Sequence, residues 1–128
     1  MQTEKFSSTT DSSIYQIFTA SARDTLGWEP YGSDGRQNVE IKRLYNACVN
    51  GSGPAAALLK YAPGARVPTH LHAGYELILV IEGELINDAG RHGPGTLEIC
   101  PPGSTHALAS DIGCTFLVVW EQPVVKLT

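Results

Sequence analysis

Between Gly64 and Gly83 the chain reads GARVPTHLHAGYELILVIEG. The second half of that stretch leaves little freedom of fold. An aliphatic run, Leu77 to Ile81, sits between Glu76 and Glu82, is rich in β-branched residues and ends at Gly83. So short a run, closed by glycine, predicts a buried strand. Just ahead of it, His70 and His72 are two positions apart, which puts their side chains on one face of an extended chain. Ala73 and Gly74 let the backbone bend before Glu76. Two imidazoles and a carboxylate gathered in this way are three of the four ligands a first-row metal ion needs. His106, in GTLEICPPGSTHALAS, is the fourth candidate. Its surroundings predict a strand over residues 96–100, a Pro101-Pro102-Gly103 turn and a strand from near Ser104. A hairpin of that shape would carry His106 back onto the other three.

The rest of the chain is punctuated as a β protein is. Its 128 residues suit one domain, and 42% hydrophobic content supports a packed core. Thirteen glycines and eight prolines follow short apolar runs, which predicts strands closed by turns rather than a helical bundle. A net charge of −4 with no Lys/Arg cluster beyond Lys42-Arg43 argues against a nucleic-acid partner. No apolar run approaches the length of a membrane span, and the N-terminal residues have no secretory h-region. Cys48, Cys100 and Cys114 are odd in number and widely spaced, so no disulfide framework is expected and a reducing cytoplasm is the expected compartment.

In chain order, residues 1–25 are expected to form an N-terminal arm, partly flexible. Ile14 to Phe18 is its candidate edge strand, which could cross to a second subunit. Residues 26–128 form the expected single domain. Leu26 and Trp28 are expected to cover one end of it. Residues 39–45 alternate and predict a strand. Residues 55–61 are alanine-rich but bounded by Gly-Pro and Pro-Gly, and are read as a strand too. Glu84 to Asn87 is the expected hairpin partner of the 76–82 strand. Residues 97–100, 106–110 and 114–120 are further strands, and the tail after Trp120 is expected to lie extended on the surface.

Two spacings carry a family resemblance. Gly64, His70, His72, Glu76 and Gly83 match the first cupin motif with no position missing. Gly95, Pro101, Gly103 and His106 resemble the second, with Ser110 where that motif usually has Asn. The resemblance implies an all-β cupin double-stranded β-helix, a jelly-roll barrel, as a single domain. Beyond the motifs, residues 26–120 resemble the cupin domain at the C-terminus of ChrR-type anti-sigma factors and its standalone relatives. That resemblance implies one divalent metal ion, zinc foremost and iron, manganese or nickel as alternatives, held by His70, His72, Glu76 and His106. ChrR-type factors also carry an N-terminal helical zinc-binding domain. No Cys or His precedes Cys48 here, so the chain is not expected to be a complete anti-sigma factor.

Two functions follow from such a centre. The first is binding or sensing of a small oxygenated ligand at the metal. The alternative is a dioxygenase cleaving a diketone-like molecule, by resemblance to the small acetylacetone dioxygenases, which use iron and three His. No nucleophile–base pair can be named, so the catalytic residues stay unassigned. A small-molecule ligand and a homodimer are the expected partners. His92 and Glu82 are read as surface residues, the three cysteines and Phe116 as core. Tyr75, Leu79 and Ile81 are candidates to line a pocket.

Overall fold

A computed structural model describes residues 11–127, so the first ten residues of the expected arm lie outside the described part. Ten strands follow a short helix, α1 (Ala20–Asp24). They are β1 (Glu29–Pro30), β2 (Gln37–Asn46), β3 (Ala55–His72), β4 (Glu76–Gly83), β5 (Leu85–Asn87), β6 (Gly90–His92), β7 (Leu97–Cys100), β8 (Thr105–Ser110), β9 (Cys114–Trp120) and β10 (Val124–Lys126). Hydrogen bonds join them in the order β6-β5-β8-β3-β9-β4-β7, with β2 and β10 also on β3 and β1 on β2. The fold is the cupin jelly roll. No helix among the described residues is long and apolar enough to cross a membrane.

β3 organises the barrel, because its two ends serve different walls. Residues 55–61 pair with β9, while residues 65–71 pair with β8. Pro63 and Gly64 lie between, Gly64 at φ +88°, a conformation open to glycine at little cost. The inward positions Leu59, Tyr61, Ala65, Val67, Ile78, Leu108, Phe116 and Val118 form one continuous core. Tyr61 and Phe116 meet edge to face there, with centroids 5.1 Å apart.

The structure redraws two local pairings. β5 does not pair with β4; it crosses to β6 and β8. β7 and β8 do not form a hairpin either, since β7 pairs with β4 and β8 with β3. Short sequence separation favoured the hairpins, but a jelly roll satisfies the same strands by crossing between walls. Ile14 to Phe18 joins no strand of its own chain. That segment is anchored instead through Arg23, buried at 3% exposure. Arg23 Nη1 donates to Ile17 O at 2.9 Å, and its guanidinium pairs with Glu82. Glu82 is therefore an ion-pair partner rather than a free surface charge.

Candidate metal centre

The backbone explains how the histidines come to face inward. In β3 the inward side chains up to Val67 have odd numbers, yet His70 and His72 have even ones. The ladder with β8 shifts register between Val67 and His70. One extra residue there, at Pro68-Thr69, reverses the pleat and turns the His-x-His pair into the barrel. Pro68 fits a bulge because it has no N–H to leave unpaired. Beyond it, His70 is the register partner of His106 on β8. The pairing is extended by His72 N to Ser104 O at 2.9 Å and Gly103 N to His72 O at 2.8 Å. Glu76 arrives from the opposite wall, at the start of β4 between β7 and β9.

All four side chains are buried, between 2% and 7% exposed. Each offers a donor atom within 4.8 Å of the others. Glu76 Oε2 lies 3.3 Å from His72 Nε2 and 3.2 Å from His106 Nε2, and those two nitrogens are 3.2 Å apart. Donors about 2.0–2.1 Å from a tetrahedral ion would be separated by about 3.3 Å, so the spacing fits a first-row metal.

The other ring nitrogens fix how each imidazole is used. His70 Nδ1 faces Pro68 O at 3.1 Å, an oxygen that can only accept. His72 Nδ1 faces Ser104 Oγ at 2.9 Å. The Ser104 hydroxyl donates to Pro101 O at 2.6 Å, so it accepts from His72. His106 Nδ1 donates to Glu98 Oε2 at 3.3 Å. Every Nδ1 therefore carries a proton, which leaves each neutral ring an Nε2 lone pair for a cation. Glu76 Oε2 is a buried oxygen without a hydrogen-bond partner among the described residues. Lone pairs crowded around an anionic oxygen, away from water, call for a positive charge.

Without a metal ion a proton supplies that charge. Burial opposes a charged His106, but contacts with Cys100, Glu76 and Glu98 outweigh it and raise its pKa to about 11. Burial likewise opposes the Glu76 carboxylate, yet His106 and His72 hold its pKa down to about 2. His70 is pushed below the usual histidine range, chiefly by burial. A metal ion would displace the proton between His106 and Glu76.

The sequence-derived set His70, His72, Glu76 and His106 is thus brought together in one place. Glu98, Ser104 and the Pro68 carbonyl complete it and were not singled out as ligand-orienting groups beforehand. Glu98 lies opposite Ile78 on β4, a pairing that only the structure shows. Glu98, Cys100 and His106 form a second convergent group, with Cys100 Sγ 3.8 Å from His106 Nδ1. Ser110, in the motif's Asn position, is fully buried and ties two turns together. Its hydroxyl donates to Glu84 O at 2.6 Å and accepts from Gly113 N at 3.0 Å. His92 lies elsewhere, its Nε2 2.8 Å from Asn87 Oδ1. Tyr75 is half exposed, and Leu79 and Ile81 alternate with the inward Ile78 and Val80.

Comparison with known proteins bears on the family and the fold. The family model of the ChrR cupin-like domain matches residues 19–124. The anti-sigma-E factor ChrR of Cereibacter sphaeroides is 31% identical over 104 residues, covering 79% of this chain and 45% of that protein. The chain thus spans less than half the length of that relative. The polyketide cyclase RemF from Streptomyces resistomycificus superposes with a TM-score of 0.67 at 22% identity, over 83% of this chain and 82% of that one. An acetylacetone dioxygenase from Acinetobacter johnsonii gives 0.72 at 11% identity, over 98% and 85%. At such identities the two structures share the fold with this chain, and no activity follows from them.

Proposed function

Because the chain belongs to the ChrR cupin-like domain family, we propose that His70, His72, Glu76 and His106 hold one divalent metal ion, zinc foremost, and that the domain binds or senses a small oxygenated ligand there. The observation that carries this reading is the convergence of three imidazoles and one carboxylate, all buried, at the separations a first-row ion's ligands would have. Three neutral imidazoles and one carboxylate around a divalent ion leave the centre with a charge of about +1. Bound there, the ion would supply Lewis acidity. The chain's part is to hold the ligands in one tautomer and exclude water.

Binding is placed ahead of turnover of a diketone because no acid–base group can be named beside the four side chains. The cavity beside His70 and Glu76, walled by Tyr61, Ile78 and Phe116, measures ≈ 10 Å³, room for about one water molecule. Elemental analysis of protein purified without chelators tests the metal reading. About one zinc per chain is expected, lost in His70→Ala and His106→Ala. Protein that is metal-free as isolated and gains no thermal stability from added zinc, iron, manganese or nickel would refute it.

A further inference from the structure

Arg36 has no part in the centre described above, yet it lies beside it. The side chain is 5% exposed and lines the small cavity together with Tyr61, His70, Glu76 and Trp120. It also lines a cleft of ≈ 240 Å³ on the other side, with Tyr31, Arg43, Asn46, Trp120 and Val124. Arg36 and Trp120 thus line both the cleft and the cavity beside the ligand cluster, where the two spaces adjoin.

The charge of Arg36 is poorly answered. Nη1 donates to Ser33 O at 3.0 Å, and lies 3.4 Å from Ser33 Oγ and 3.5 Å from Asp34 Oδ2. Nε and Nη2 bond no group among the described residues and are not sealed from solvent, which leaves them open to the cleft. Asp34, the nearest acid, is itself about half exposed. The guanidinium otherwise stacks on Tyr31, 4.3 Å from its centroid, and Arg43 approaches the same ring at 5.4 Å. A guanidinium at the edge of a cleft, with two donor nitrogens that no protein group takes up and a second cation nearby, suits a planar anion.

We propose that the centre takes a small carboxylate, with one oxygen in the cavity beside His70 and Glu76, its charge matched by Arg36 and its remainder in the outer cleft. This rests on the metal reading, because without a cation Glu76 would repel that oxygen. Size argues for a carboxylate over a phosphate. The inner cavity holds about one oxygen atom, and a flat two-oxygen group fits a guanidinium edge where a tetrahedral anion would crowd the walls.

The test uses full-length protein loaded with cobalt(II), whose visible bands report on its ligands. Cobalt content is measured first, and acetate and its neutral isostere acetamide are then titrated. Acetate is expected to shift the bands saturably, and acetamide to leave them unchanged. Arg36→Gln should weaken the acetate response at least tenfold, and Arg36→Lys less. Unchanged bands with acetate, an equal response to acetamide, or an Arg36→Gln response equal to wild type would each overturn the carboxylate assignment while leaving the metal site standing. The isostere comparison needs no variant, so it decides the matter even should Arg36→Gln fold poorly. Protein that takes up no cobalt would overturn the metal reading and this inference with it.

Discussion

His106 stands between two carboxylates, with Glu98 on its Nδ1 and Glu76 beside its Nε2. Glu98 fixes the ring's tautomer and orientation, as outer partners of metal-bound histidines do. Replacing Glu98 by Gln should weaken zinc affinity about 10- to 100-fold, measured by competition with a chromophoric chelator. The metal-free form should show its own pH dependence. Glu76 is held down from 4.5 to about 2, so its contribution is present above about pH 4.5 and is lost as pH falls toward 2. His106 is raised from 6.5 to about 11, so its contribution is complete below 6.5 and is lost as pH rises through 11. His70, lowered by burial, costs stability as pH falls below 6.5, so thermal melts of metal-free protein should peak near pH 6.5 and decline on both sides. With zinc bound the proton on His106 is gone, and the alkaline decline should flatten. At this scale the four ligands were legible because each lies at a fixed spacing from its neighbours. Glu98 was not, because in Leu97-Glu98-Ile99-Cys100 the apolar pair faces outward and the polar pair inward. A hydrophobic-inward reading takes the wrong face.

Among the elements, β4 is the one whose end is most strictly specified. Gly83 has φ +81°, and a Cβ there would come within 2.0 Å of the Gly113 carbonyl oxygen. Both the left-handed backbone and the close approach exclude a side chain. Gly83→Ala should cost about 2–4 kcal/mol, seen as a lower urea midpoint with an unchanged slope. The strands themselves were legible from alternation and from glycine and proline boundaries, the alanine-rich start of β3 included. Their partners were not, because adjacency in sequence favours hairpins that a jelly roll replaces by crossings. β10 illustrates this. The tail read as a surface extension pairs Val124 to Lys126 with His72 to His70, closing the open edge of the ligand strand. The pleat reversal at Pro68-Thr69 escaped notice for a related reason, since a bulge shows only against the facing strand.

Taken whole, the molecule gains a tie between β3, β4 and β8 once the proposed metal ion is bound. An ion free at 100 times its dissociation constant adds about 2.7 kcal/mol. Chelator treatment should therefore lower the melting temperature by on the order of 10 °C, reversibly on returning zinc. The homodimer expected from the sequence has a candidate face in Leu77, Leu97 and Ile99, which are 39%, 56% and 59% exposed on paired strands. Light scattering should give twice the chain mass for wild type and a monomer for Leu97→Lys. A wild-type monomer would remove the dimer from the picture and leave the metal centre untouched.

X-ray absorption at the edge of the bound metal probes that centre most directly. A first shell of nitrogen and oxygen at about 2.0–2.1 Å, with the outer-shell scattering of three imidazoles, is the expected spectrum. A sulfur shell at about 2.3 Å would move the ion to Glu98, Cys100 and His106 and contradict the assignment to His70, His72, Glu76 and His106.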